Sequence, residues 1–190
     1  MDPMKRLLDI VISFILLLFL LPLFGLITMF IKLDSPGPVF FMQRRIGKDN
    51  TEFIMYKFRT MRADTPKDVP THLFQNPQEY VTRVGRVLRK TSLDELPQLW
   101  NILKGEMTFI GPRPALYNQY DLIELRTRRG VHKLRPGVTG WAQVNGRDEI
   151  SIEDKVLYDE YYFNNRTCRL ELKILLHTIT NVITSRNIRV

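Results

Sequence analysis

The chain has 190 residues, 44% of them hydrophobic, and a formal net charge of +8. That length argues for one domain plus a hydrophobic segment, and that apolar content excludes general disorder. One cysteine, Cys168, excludes an intramolecular disulfide, and His72, His132 and His177 stand too far apart for metal-ligand spacing. A basic surface suits phosphate-bearing partners, whether nucleic acid, nucleotide or anionic lipid head.

Ile10 to Ile31 is a run of 22 residues without a charge, preceded by Lys5 and Arg6 and followed at once by Lys32. At a helical rise it measures about 33 Å, enough to cross a bilayer core. Pro22 divides it, with Gly25 just after, and proline kinks or breaks a helix. Each half then has the length of a re-entrant or interfacial segment. Positive charge on both flanks suits a hairpin that enters and leaves by one face, whereas a spanning helix shows bias to one side. From these residues alone, spanning and re-entrant readings both stand.

Asp34-Ser35-Pro36-Gly37-Pro38 predicts a loop that ends the segment. Val39 to Met42 and Phe53 to Phe58, flanking Gly47-Lys48-Asp49-Asn50, predict a β-hairpin. Asp64 to Pro77 carries three prolines and reads as irregular. Leu93, Leu96, Leu99, Trp100 and Leu103 recur at helical spacing; with Pro97 in the first turn, that helix begins near Ser92 or Asp94. Tyr117 to Arg129 predicts a helix ending at Gly130. Arg135 to Gly140 predicts a loop. Ser151 predicts an N-cap, with Asp154 in the capping-box position, for a helix to about Phe163. Leu170 to Ile183 predicts a last amphipathic helix.

Asp94 and Glu95 are adjacent carboxylates at a predicted helix start, and capping alone accounts for acids there. Arg86, Arg89 and Lys90 just upstream, and Arg113 in the proline-stiffened Gly111-Pro112-Arg113-Pro114, add a second reading. Guanidinium groups converging on carboxylates serve a phosphate-ester substrate, and would hold Asp94 ionised as a nucleophile. Lys57-Phe58-Arg59 puts two cations at a strand end. Arg126, Arg128, Arg129, Lys133 and Arg135 read as a solvated helix face or a rest for anionic lipid. The aromatics are not interleaved with this basic cluster, which argues against nucleic acid as a partner. Adjacent carboxylates also argue against a glycoside hydrolase, whose two acids face each other across about 5 to 10 Å.

Several longer motifs stand in order: Lys5-Arg6-Leu7-Leu8-Asp9, Ser35-Pro36-Gly37-Pro38-Val39-Phe40-Phe41, Tyr56-Lys57-Phe58-Arg59-Thr60-Met61 and Arg89-Lys90-Thr91-Ser92-Leu93-Asp94-Glu95-Leu96-Pro97-Gln98-Leu99-Trp100-Asn101. Gly105-Glu106-Met107, Ile110-Gly111-Pro112-Arg113-Pro114, Arg135-Pro136-Gly137-Val138-Thr139-Gly140 and Ala142-Gln143-Val144-Asn145-Gly146-Arg147 follow. In these the chain resembles the bacterial sugar transferase family, and within it the small monotopic phosphoglycosyl transferases that start glycan assembly on a polyprenyl phosphate.

The resemblance implies a mostly helical α+β fold. A re-entrant membrane helix over residues 1–33 would precede one small catalytic domain over 34–190, with a short β-hairpin and amphipathic interfacial helices, on the cytoplasmic face of the bacterial inner membrane. It implies that Asp94 attacks the β-phosphate of a UDP-sugar, releasing UMP, and that polyprenyl (undecaprenyl) phosphate then takes the phosphosugar. Glu95 would assist as a base or by orienting the acceptor phosphate. Mg2+ would be held partly by Asp94. Arg89 and Arg113 would bind phosphate, with Lys57 and Arg147 as further substrate-binding candidates. Lys5, Arg6 and Asp9 would anchor at lipid headgroups, and Pro22 would make the break. A homo-oligomer is compatible with the sequence, which shows no dimer seam. Galactose, glucose, N-acetylglucosamine and bacillosamine-type donors all fit. Two positions depart from the family pattern: Leu21-Pro22 stands where relatives carry Ser-Pro, and Glu171 where they often carry Asp.

Overall fold

The computed structural model describes residues 3–65, 77–146 and 150–184. The apolar run folds as two helices, α1 (Pro3–Phe19) and α2 (Leu21–Asp34), bent by 61°. Leu20 is the joint, and Pro22 lies in the first turn of α2, where a missing N–H leaves the Leu18 carbonyl without its helical donor. No single helix among the described residues is long and apolar enough to cross a membrane; the bent pair together is, by length and composition.

The polarity of α1 is turned inside out. Asp9 and Ser13 are buried, 3% and 0% exposed, while Leu7, Leu8, Val11, Phe14, Ile15 and Leu18 are exposed. Lys5 hydrogen-bonds the Ile110 carbonyl and Tyr162 Oη, each at 3.2 Å, and pairs with Glu171. Arg6 donates to the carbonyls of Ile102 (2.6 Å) and Leu103 (2.9 Å), and Thr108 Oγ1 donates to Asp9 at 2.7 Å. The sequence reading sets Lys5, Arg6 and Asp9 at lipid headgroups; in the structure their polar atoms are held by protein partners, because the same face of α1 that carries them also carries the residues that pack on the domain. Glu171 has a structural employment as the partner of Lys5.

A hairpin follows, β1 (Phe40–Ile46) against β2 (Glu52–Phe58), antiparallel with Phe41 opposite Lys57. Asp49 and Asn50 take positive φ in its turn, a conformation that Asn and Asp tolerate better than other non-glycine residues. Helix α3 (Arg83–Lys90) is capped by Thr82, whose Oγ1 accepts from Gly85 N at 3.0 Å. A 3-10 turn over Leu93–Glu95 then precedes α4 (Gln98–Lys104). The helix thus starts later than the periodicity predicts. Pro97 is its N-cap rather than a residue of its first turn, and Ser92 before the 3-10 turn is left-handed at φ 56°.

Thr108–Ile110 (β3) and Gly137–Thr139 (β4) form a second, parallel pair. Neither was foreseen, and β4 falls in the predicted Arg135–Gly140 loop. Three residues are too few to show an alternation. The remaining helices are α5 (Tyr120–Arg128), α6 (Trp141–Val144), α7 (Ile152–Asn164) and α8 (Cys168–Ile183). Ser151 caps α7 as predicted, accepting from Asp154 N at 3.0 Å, and Gly130 takes the left-handed position after α5. Most of the predicted irregular segment from Asp64 to Pro77 lies outside the described residues. The fold is therefore mostly helical α+β, with two small sheets rather than a hairpin alone.

Apolar clusters weld these elements together. Leu16, Leu17 and Leu20 of the bent pair pack on Phe53, Met55, Leu99, Ile102 and Met107. Ile27 and Ile31 of α2 pack on Phe58 and Leu88. Ile110, Leu134, Tyr162 and Ile174 join β3 to α7 and α8. Each fully buried aliphatic side chain contributes about 1.5–3 kcal/mol. The outer side of α8 stays bare: Leu172, Leu175, Leu176, Ile179 and Ile183 are exposed, at helical spacing.

Gly85 fixes how α3 meets the strand end. A Cβ there would run into the carbonyl group of Thr60, and both partners are backbone. Gly85→Ala is therefore expected to destabilise the fold by about 2 kcal/mol, read as a lowered denaturation midpoint in detergent. An unchanged midpoint would show that α3 is not held at this distance.

Candidate active site

Asp94 and Glu95 sit in the 3-10 turn between α3 and α4. The left-handed Ser92 lets the chain reverse sharply, with Ser92 N bonded to the Arg89 carbonyl and Glu95 N to the Ser92 carbonyl. Such a conformation costs a non-glycine residue about 1 kcal/mol or more and persists where the surroundings impose it.

Three elements bring cations to this turn. Lys57, at the end of β2, donates to Glu95 Oε1 at 2.6 Å. Arg113, in the loop after β3, reaches the same oxygen with Nη1 at 3.4 Å and Nη2 at 3.3 Å. Arg89, in the last turn of α3, donates from Nε to Thr60 Oγ1 at 2.9 Å and acts on Asp94 through its charge. Asp94 is 9% exposed. Of the predicted substrate-binding residues, Lys57, Arg89 and Arg113 are thus brought to the carboxylates, and Arg147 lies outside the described residues. Arg59 is turned away. It donates to the Pro36 carbonyl at 2.7 Å and to the carbonyl and hydroxyl of Ser35 at 2.7 and 2.8 Å, tying the end of α2 to the strand.

The electrostatics correct one expectation. The sequence reading has the cations hold Asp94 ionised. Burial instead pushes its carboxyl above the usual range; Lys57 pulls it down, Glu95 pushes it further up, and Arg89 and Arg113 pull it down. Burial likewise pushes the Lys57 ammonium below its usual range, opposed by Glu95 and helped by Arg113. Both shifts have one physical cause. The turn sits in a low-dielectric setting where either charge without its counterpart is costly.

A third layer was not foreseen. Arg126 is read from sequence as part of a solvated basic face, yet it is 8% exposed. Its Nε and Nη2 donate to Asp159 Oδ2 at 3.0 and 2.6 Å, and its Nη1 donates to the Arg113 carbonyl at 2.8 Å. The pair therefore fixes the backbone of the residue whose guanidinium meets Glu95. Asp159, 1% exposed, gives no signal in the sequence beyond being an acid in an otherwise aromatic stretch of α7. Arg128 and Arg129, by contrast, are surface partners of Glu124 and Glu160.

A family model described as bacterial sugar transferase matches residues 1–185. The chain belongs to that family. It is 42% identical over 192 residues to EpsL of Bacillus subtilis, an uncharacterised sugar transferase, covering 98% of this chain and 90% of the relative. It is 42% identical over 185 residues to the UDP-glucose:undecaprenyl-phosphate glucose-1-phosphate transferase of Escherichia coli, covering 93% of this chain and 39% of that protein. A UDP-N-acetylgalactosamine-undecaprenyl-phosphate N-acetylgalactosaminephosphotransferase of Aeromonas hydrophila is 40% identical over 186 residues, 95% of this chain and 44% of the relative. The chain thus spans less than half the length of several curated relatives it matches.

Breaking the pair behind Arg113 tests the layered reading. Asp159→Asn leaves a buried guanidinium short of its counter-charge and is expected to cost about 3 kcal/mol or more, measured by chemical denaturation. Glu124→Gln, which breaks an exposed i,i+4 pair, is expected to cost less than about 0.5 kcal/mol. Equal losses in the two variants would show that the Arg126–Asp159 pair is no more than a surface contact.

Proposed function

We propose that this protein transfers a sugar-1-phosphate from a UDP-sugar to undecaprenyl phosphate, at the cytoplasmic face of the bacterial membrane, as the first membrane step of glycan assembly. The observation that carries the reading is the buried Asp94–Glu95 turn with Lys57, Arg89 and Arg113 gathered on it. Cations around carboxylates suit a diphosphate, and the donors and acceptor in the relatives' names are of that chemistry.

In this reading an Asp94 oxygen attacks the β-phosphorus of the donor. The bond from that phosphorus to the bridging oxygen breaks, UMP leaves with the electron pair, and an acyl phosphate joins the sugar phosphate to the enzyme. An oxygen of undecaprenyl phosphate then attacks the same phosphorus and restores the carboxylate. Two steps let one small site serve a soluble donor and a lipid acceptor in turn. Glu95 acts by orientation: its Oε1 gathers Lys57 and Arg113, and an acceptor phosphate with a second pKa near 6 is already charged enough to attack.

Magnesium fits the same residues. No group of three carboxylate, histidine or cysteine donors stands together among the described residues. This ion instead takes one or two carboxylates and fills its shell with substrate phosphates and water. Asp94, with Glu95 beside it, would hold it, and the ion would supply neutralisation of the diphosphate charge.

The bent pair supports a re-entrant hairpin, because the 61° break parts a run that is long enough to span only as a whole. The bare apolar strip of α8 suits the membrane interface. In a Cys168→Ser background, Asp2→Cys and Pro36→Cys are expected to label from the same side of sealed vesicles. Labelling from opposite sides would establish a spanning helix.

The reaction is tested by UMP release from a panel of UDP-sugars, with undecaprenyl phosphate and magnesium in nanodiscs. Asp94→Asn is expected to lose about 10³-fold or more and to form no covalent phosphosugar by mass spectrometry; chelating the metal is expected to stop turnover. Because the nucleophile must be ionised and its carboxyl is raised, the rate is expected to fall as pH drops through a point above the ordinary aspartate range. Arg89→Gln, which removes a cation that pulls Asp94 down, is expected to move that fall to higher pH. An active Asp94→Asn enzyme would end the covalent mechanism.

A further inference from the structure

A cavity of about 250 Å³ adjoins the carboxylate turn. Hydrocarbon from Leu16 of α1, Leu99 of α4, Phe109 of β3, Val138 of β4 and Val182 of α8 makes most of its surface. Ser92, Glu95, Thr139, Gln143, Thr178 and Asn181 add polar groups to its wall. Two of the helices among these walls have bare hydrocarbon on their outer sides: Phe14, Ile15 and Leu18 on α1, and Leu175, Leu176 and Ile179 on α8. The cavity thus lies between surfaces suited to lipid and the cations that gather on Glu95.

We propose that this cavity receives the phosphate-proximal isoprene units of the acceptor lipid, with its phosphate at Lys57 and Arg113. The proposal rests on the transferase reading above and adds a binding site to it. The lining decides the occupant. Because most of the lining surface is hydrocarbon, a uridine or a hexose filling it would lose hydration over much of its polar surface, whereas a branched hydrocarbon would lose none. The position decides the polarity of binding. Lys57 and Arg113 both sit on Glu95 Oε1, so a phosphate drawn to these cations leaves its chain beside the cavity that Glu95 borders. α1 and α8 then form a lateral entrance from the bilayer.

The test uses the full chain in nanodiscs. Val182→Trp fills part of the cavity from its α8 wall. It is expected to raise the KM for undecaprenyl phosphate about tenfold or more, to leave the KM for the UDP-sugar within twofold, and to keep the melting temperature. An unchanged acceptor KM in that folded variant overturns the proposal, and a raised donor KM in its place assigns the cavity to the donor. Should the variant not fold, the unsubstituted chain decides. A ten-carbon isoprenyl phosphate with a terminal diazirine is expected to label the segments around Leu16 and Thr178–Val182, and to be displaced by undecaprenyl phosphate but not by excess phosphatidylglycerol. Labelling confined to the outer strip of α8, or equal displacement by phosphatidylglycerol, would mark a site for bulk lipid and overturn it. No UMP release by the unsubstituted chain from any donor would sink the transferase reading itself, which the labelling pattern does not depend on.

Discussion

Burying the Asp94–Glu95 turn is the constraint on which the rest of the structure depends. A carboxylate drawn out of water costs several kcal/mol unless opposite charge meets it, and Asp94 retains only 9% of its exposure. The counter-charges come from places far apart in sequence: the end of β2, the last turn of α3 and the loop after β3. Each must be delivered by its own anchor. Asn101, fully buried, donates to the Ile54 carbonyl at 2.6 Å and accepts from Tyr56 N at 3.1 Å, so α4 and the turn before it are pinned to the strand that ends in Lys57. Gly85 lets α3 close on Thr60, and Thr60 in turn holds Arg89. Asp159 and Arg126 hold the backbone of Arg113. The fold is a set of clamps on one charged turn.

The apolar helix pair belongs to the same system. A helix of hydrocarbon with Asp9 buried along one side is stable only where that carboxylate meets a polar partner and the other side meets lipid or protein. Here Thr108, at the start of β3, bonds Asp9, and Arg6 donates to the Ile102 and Leu103 carbonyls at the end of α4, of which Ile102 also accepts from Gly105 N. Lys5 meets Tyr162 and Glu171 from α7 and α8. The start of the apolar run is thereby joined to the helix that follows the carboxylate turn and to the strand that precedes Arg113. A change in the seating of α1 would be felt by both.

The legible part of the structure is the part encoded locally. The hairpin has its β-rich arms and a turn of Gly, Asp and Asn; α7 has Ser151 and Asp154; the helix break has Pro22. The carboxylate pair and three of its cations were also readable, because charges of both signs cluster within motifs that resemble a known family. What stayed hidden depends on distant partners. Arg126 and Arg128 are two residues apart and chemically identical, yet one is buried on Asp159 and the other lies on the surface with Glu124. Within the helix Arg128 has an acid four residues before it and Arg126 a leucine, but nothing there marks Arg126 for burial. Lys5 and Arg6 before an apolar run read as headgroup ligands, since a cation suits a phosphate and a carbonyl equally. The three-residue strands are defined only by each other. Pro97 could be given a place near a helix start, but the left-handed Ser92 that splits off the carboxylate turn is a backbone conformation with no side-chain signature.

The balance of charge at the turn bears on why transfer in two steps suits it. Lys57, Arg89 and Arg113 act on Asp94 and Glu95, so these groups carry a surplus of positive charge before any substrate arrives. Water is largely excluded from Asp94, so that surplus is weakly screened and favours an incoming phosphate. Lys57, Arg89 and Arg113 each favour the Asp94 carboxylate, yet burial outweighs them and leaves its carboxyl raised. A nucleophile held too securely by its neighbours would be a poor one. Lys57 and Arg113 meet on Glu95, and Arg89 is steadied by Thr60, so the positive charge is oriented in advance. In the proposed transfer, negative charge would move from Asp94 onto the phosphoryl oxygens with these donors already in place, and preorganisation of that kind stabilises a transition state more than a ground state. The proposed second step would reverse the flow through the same groups, with the acceptor phosphate in the place of UMP, so one site would serve both transfers.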